Sequence, residues 1–255
     1  MSEGQETFIS HLVELRDRLL RAVAAIVLVF VCLMPWAGSI YDLLAQPMLR
    51  ALPEGTRMIA TGVVTPFFVP VKVTLMVAFV MALPVVLYQA WAFVAPGLYA
   101  HEKRLALPMV IGGTFLFLVG MAFCYFFVFG TVFKFIAEFA PKSITPAPDI
   151  EQYLAFVMTM FLAFGLTFEV PIVVILLVRF GVISVAKLKD ARPYVIVGAF
   201  VIAAVITPPD VVSQFMLAIP MCLLFELGLF LAGLMRAPAE HWQPTEPSIG
   251  PPSGD

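Results

Sequence analysis

The sequence predicts an all-α integral membrane protein of six transmembrane helices with both termini cytoplasmic. Composition is the first reason. Hydrophobic residues make up 62% of 255 and charged residues only 13%, with mean hydropathy +1.01, outside the soluble range. Apolar runs are the second. A hydrocarbon core of about 30 Å takes roughly 20 residues of helix, and six segments stand out, at 19–37, 67–93, 105–137, 153–178, 194–206 and 212–234. None alternates with period two, so helices are expected rather than a barrel. The third is charge asymmetry. With the N-terminus inside, the cytoplasmic side carries ten cations, Arg16, Arg18, Arg21, Lys103, Arg104, Arg179, Lys187, Lys189, Arg192 and Arg236, against Arg50, Arg57 and Lys142 outside. Lys72 and Lys134 lie near outer span ends, where their stems can snorkel, and the imbalance sets the orientation.

The elements follow in order. Residues 1–9 are polar and no small-residue cleavage site follows, so the start is expected to be retained rather than a cleaved signal. On a helical wheel Phe8, Leu12, Leu15 and Leu19 form one stripe, with Glu14, Asp17, Arg18 and Arg21 opposite, an interfacial helix leading into the first span. Arg16 projects toward the edge of that stripe and should face something polar. The outer segments 38–66 and 138–152 are punctuated by Pro47, Pro53, Pro66, Pro141, Pro146 and Pro148 and read as ordered caps. The fifth span, 194–206, covers only about 20 Å, so either the bilayer thins around it or neighbours shelter it. Thr207-Pro208-Pro209-Asp210 reads as a tight outer hairpin with Asp210 capping the last helix. Pro220 and Glu226 interrupt span six. Residues 1–236 form one transmembrane domain, and the proline-rich tail 237–255 reads as disordered. Cys32, Cys124 and Cys222 fall inside spans without CxxC spacing and read as small packing residues.

The functional signal lies in a few charges. Glu14 and Glu102 share one membrane side once the topology is set, two carboxylates placed to hold something cationic. Other accounts exist for each. Glu14 and Arg18 are spaced i, i+4 for a surface ion pair, and Lys103 and Arg104 can neutralise Glu102. Glu169 and Glu226 fall well inside spans, where an acid costs on the order of 2.5–3.5 kcal/mol. Each either lines a hydrated pocket or is a neutral carboxyl bonded to a neighbouring helix. A secondary transporter or proton/cation channel using Glu169 and Glu226 predicts internal repeats, and none is visible. An intramembrane protease needs GxSxG or HExxH, and neither occurs. No metal-ligand cluster or interleaved basic patch is seen, so no metal, cofactor, catalytic residue or nucleic-acid partner is expected.

Several motifs taken together resemble the TatC family, the polytopic subunit of the twin-arginine translocase. They are His11-Leu-Val-Glu-Leu-Arg16, Met58-Ile-Ala-Thr61, Thr65-Pro-Phe-Phe-Val-Pro-Val-Lys72, Tyr88-Gln-Ala-Trp-Ala-Phe-Val-Ala-Pro96 running on to His101-Glu-Lys-Arg104, Phe168-Glu-Val-Pro171, Arg192-Pro-Tyr194, Thr207-Pro-Pro-Asp210 and Ser213-Gln214. The resemblance covers nearly the whole chain except the tail. It implies a glove-shaped, concave bundle in the bacterial inner membrane that receives folded precursors bearing an Arg-Arg signal peptide. It further implies a signal-peptide site of Glu14, Arg16, Phe93, Glu102 and Arg104. An intramembrane polar cavity would be lined by Glu169, Gln214 and Glu226. Pro47, Thr207 and Asp210 would belong to periplasmic caps that meet the single-span subunits TatA and TatB. Self-association, contact with membrane lipid and use of the proton-motive force without a cofactor complete the implied picture. One position departs from the pattern, since Thr65 stands where many members carry an acid.

Overall fold

The computed structural model describes residues 3–51, 58–94, 106–139, 147–207 and 210–234, and these are helical almost throughout. In chain order the helices are α1 (Glu3–Leu33), α2 (Ala37–Ala51), α3 (Thr65–Val94), α4 (Ala106–Phe123), α5 (Phe129–Phe139), α6 (Ile150–Phe168), α7 (Val170–Arg179), α8 (Val185–Asp190), α9 (Arg192–Ile206) and α10 (Val211–Leu234). Among the described residues, five stretches are long and apolar enough to cross a bilayer: Ser10–Arg50, Thr65–Phe93, Leu107–Phe139, Ile150–Arg179 and Val211–Leu234. The remaining expected span is the shorter apolar helix Arg192–Ile206.

Where helices break, the cause is local. A 3-10 turn at Met34–Trp36, containing Pro35, separates α1 from α2. The segment expected as a proline-rich cap therefore contains a 15-residue helix, with Pro47 inside it. The run 105–137 was expected unbroken, yet a π segment at Cys124–Val128 separates α4 from α5. One extra residue per turn leaves no hydropathy trace, which is why the pattern did not reveal it. The run 153–178 breaks at Glu169. Pro171 has no N–H for the Thr167 carbonyl, and the Glu169 N–H turns to Leu166 and Thr167 instead.

Packing relies on small residues at crossings. Phe117 of α4 lies over Gly165 of α6, where an added Cβ would come within 2.4 Å of the ring. Reciprocally, a Cβ on Gly120 would meet the Phe164 carbonyl at 2.6 Å and the Phe168 ring at 2.9 Å. Gly228 of α10 allows the same close approach to Pro171 and Val174 of α7. Between lipid-soluble helices such contacts, rather than water exclusion, drive association. Several threonine hydroxyls inside helices are satisfied within their own turns, as when Thr74 donates to Pro70 O and Thr114 to Val110 O, both at 2.8 Å.

The first helix reverses the soluble rule. Leu12, Leu15 and Leu19 face outward, while Glu14 and Arg18 are partly covered and Ala22 is buried, along the side that packs on α3. The apolar stripe is turned to lipid because lipid is the solvent there. Cys32, expected to pack, is also exposed, whereas Cys124 is buried.

Candidate functional site

The chemistry gathers at three places along this frame. The first is where α1 lies against the end of α3. His11 stacks on Phe93 with ring centroids 4.3 Å apart and planes 21° from parallel. Glu14 follows on the same helix at i, i+3. Its Oε1 accepts from Arg18 Nε at 2.9 Å and also from Arg18 Nη2. Only one carboxylate oxygen is engaged there, and the group stays one-third exposed (34%). The partner expected for Arg16 turns out to be its neighbour, since Nε and Nη2 both donate to Asp17 Oδ1, at 3.0 and 2.8 Å. Arg16 is thus an exposed, locally paired cation. Glu102 and Arg104 lie outside the described residues, as do Pro208, Pro209 and the tail 237–255. His11 entered the sequence reading only as a motif letter. Its place on one helical stripe with Glu14 and Arg18 was the available signal.

The second place is the middle of the bundle. Glu169 sits at the α6–α7 break and aims at α4, its Oε2 and Oε1 lying 3.0 and 3.3 Å from where a Cβ on Gly113 would stand. Oε1 is buried and has no hydrogen-bond partner among the described residues. Glu226 and Gln214, expected beside it, bond elsewhere. Arg192 Nη2 donates to Glu226 Oε2 at 2.6 Å, and Gln214 Nε2 donates to Phe200 O at 3.2 Å. Glu226 thus bonds across to Arg192, the first residue of α9.

The third place is the opposite end of α3. Ile59 pairs with the chain before α6, its N–H donating to Pro148 O at 3.0 Å while Ile150 N–H donates to Ile59 O at 2.9 Å. Asp149 caps α6 by accepting from Glu151 and Gln152 N–H, and it accepts from Thr61 Oγ1 and N at 2.7 and 3.0 Å. The Thr61 hydroxyl chiefly, then the Thr61, Gln152 and Glu151 amides, hold its carboxyl down at about 2. Thr65, at the departing position, donates to Glu151 Oε2 at 3.3 Å, and Lys72 Nζ donates to Glu151 Oε1 at 2.8 Å. The acid here comes from α6. Asp149 with Gln152 three residues on is a capping pattern the sequence could have yielded.

Pro47, an expected cap residue, explains a further tie. A proline has no N–H for the carbonyl four residues back. That carbonyl, Leu43 O, receives Tyr125 Oη at 3.1 Å, and Tyr153 Oη reaches Leu44 O at 2.8 Å. Thr207 closes α9 with its hydroxyl on Ala203 O at 2.8 Å. Asp210 Oδ1 accepts from Ser213 N at 2.6 Å, the cap expected for α10.

A family profile described as Sec-independent protein translocase protein (TatC) matches residues 10–220. A TatC protein of Azotobacter chroococcum mcd 1 is 50% identical over 249 residues, covering 96% of this chain and 98% of that one. The chain belongs to the TatC family. A TatC of Escherichia coli (strain K12) is 49% identical over 230 residues, 90% of this chain and 89% of that one. Among solved structures, the crystal structure of a twin-arginine translocase receptor, TatC, superposes with TM-score 0.76 at 39% identity, covering 88% of this chain and 98% of that one. Membership makes the chain a multi-pass membrane component of a Sec-independent protein translocase, a transport rather than a catalytic class. It also replaces the transporter and channel reading of Glu169 and Glu226.

Proposed function

We propose that this chain is the receptor subunit of its translocase, binding Arg-Arg signal peptides of folded precursors at the end of the bundle where α1 meets α3. The observation that carries the reading is the His11–Phe93 stack, which brings Glu14 and Phe93, distant in sequence, to one end. A guanidinium offers a planar fork that a carboxylate accepts bidentately, which lysine does not reproduce. Glu14 already holds one guanidinium, that of Arg18, so an incoming arginine would exchange with or share that partner at little cost. Glu102 supplies the second carboxylate, with Arg16 and Arg104 tuning the local field. Two charge-assisted contacts give about 3–6 kcal/mol, below the roughly 8 kcal/mol of micromolar affinity. Phe93 and neighbouring apolar surface supply the remainder by receiving the signal's apolar stretch.

In the same proposal, residues 1–236 form a concave six-helix domain with both termini cytoplasmic, so that α9 is the fifth crossing. Glu169 and nearby polar groups line its interior. Pro47, Thr207 and Asp210 belong to periplasmic caps that meet the single-span subunits TatA and TatB, and copies of the chain self-associate. Transport draws on the proton-motive force in the bacterial inner membrane.

Photo-crosslinkers at position 93 and beside Glu102 test the site directly. An Arg-Arg precursor should crosslink strongly and its Lys-Lys variant weakly. Equal yields from the two would sink the reading.

A further inference from the structure

A cavity of about 430 Å³ opens where α8, α9 and α10 meet, lined by Val185, Lys189, Arg192, Glu226, Leu229 and Phe230 among others. Its contents are unusual for a lipid-facing surface. The Arg192–Glu226 pair is 45% and 47% exposed, yet its surroundings include Phe230, itself 66% exposed. Glu226 lies eight residues before the end of α10 at Leu234, or about 12 Å along the helix axis. A half-open ion pair at that depth requires polar company.

The short fifth helix explains what kind of company is near. α9 has 15 residues, about 22 Å, against a hydrocarbon core of about 30 Å. Thinning of the bilayer beside it is one way to meet that mismatch, and it would draw headgroups down toward Arg192 at its start. The lining also has a surplus of positive charge, with Lys189 and Arg192 against Glu226 alone. Arg192 spends Nη2 on Glu226, which fixes the guanidinium and leaves Nε and Nη1 to donate elsewhere. Lys189 is exposed and has no ion pair among the described residues. It is nevertheless firmly presented, because Val185 and Leu188 of the same short helix are buried and Ser184 caps it through the Lys187 N–H at 3.3 Å. Asp190 lies next to Lys189 but outside the lining.

We propose that this cavity is a binding site for an anionic phospholipid, whose phosphate is held between Lys189 and Arg192 while Leu229 and Phe230 receive an acyl chain. A single surplus positive charge matches a single phosphodiester, and basic pockets between helices at a membrane face suit such headgroups. A seated lipid would tie α9, the least deeply anchored crossing, to α10 and α8.

The test uses the full chain, delipidated in detergent and titrated with phosphatidylglycerol, phosphatidylcholine or inorganic phosphate, with adducts counted by native mass spectrometry. Phosphatidylglycerol should be retained several-fold more than phosphatidylcholine. Lys189→Glu should bring it down to the phosphatidylcholine level, while Lys187→Glu, the same charge change on the same helix outside the lining, should retain most of it. The double variant Arg192→Gln/Glu226→Gln, which removes the guanidinium donors together with the ion pair, should also lose the preference. All variants are scored only when monodisperse and as helical as the parent by circular dichroism. Equal retention of both lipids, equal losses from Lys187→Glu and Lys189→Glu, or displacement by equimolar inorganic phosphate would each overturn the proposal. So would a Lys189→Glu protein that keeps its lipid but no longer co-purifies with single-span subunits, which would assign the cavity to a partner helix. Precursor capture is read separately, so the receptor reading stands or falls independently.

Discussion

The two ends of α3 are built in opposite ways. Around Thr65 the ties run between residues far apart in the chain: Thr61 to Asp149, Lys72 to Glu151, Tyr153 to Leu44 and Tyr125 to Leu43. Around Phe93, among the described residues, Glu14 bonds to Arg18 and Arg16 to Asp17, and a ring stack crosses between helices. Long-range ties fix geometry. Local i, i+4 ion pairs contribute only tenths of a kcal/mol. An end proposed to accept a signal peptide is better served by the second construction, and a cap by the first.

The largest way to break this contrast is to disturb the wall that both ends stand on. Gly165→Val would drive carbon into the Phe117 ring and should destabilise the protein by about 1–3 kcal/mol, lowering its thermal midpoint in detergent. Gly130→Val, where nothing lies within 4 Å of the added Cβ, should leave the midpoint nearly unchanged. Next comes the end proposed as the receptor. Glu14→Ala should weaken Arg-Arg precursor capture about tenfold or more, the equivalent of one charge-assisted hydrogen bond. Its stability should stay within a few tenths of a kcal/mol of the parent, and a large stability loss would erase the distinction between the ends. Tyr125→Phe should cost about 1 kcal/mol through the orphaned Leu43 carbonyl, with capture intact.

The smallest effect is a pH dependence at the cap. Asp149 titrates at about 2 in the folded protein against an ordinary 3.8. Because the folded value is depressed, its contribution is complete above about pH 4 and lost as pH falls through about 2. Asp149→Asn should flatten that part of the midpoint-versus-pH curve. An unchanged slope would remove Asp149 from the account of the cap.

Much of this was legible beforehand. The spans 67–93 and 212–234 correspond to α3 and α10 within a few residues, because long apolar runs have one stable solution in lipid. The motifs carried the family. The partner of Glu226 was not legible, since Arg192 is 34 residues away and spacing along one helix says nothing about another. The outward face of the α1 leucines was misleading in isolation, because amphipathicity reports two faces without saying which solvent each meets. Arg16 was read as facing something polar, and the adjacent Asp17 is that partner.

Composition, run length and charge asymmetry therefore determined class and expected crossings on their own, since each is a sum over residues that needs no knowledge of neighbours. Which carboxylates meet which cations was decided only by tertiary structure. Glu169 lodged against Gly113, Glu226 bonded to Arg192 and Glu151 shared by Thr65 and Lys72 all depend on the separation and rotation of packed helices, and those are set by glycine crossings and proline breaks acting together.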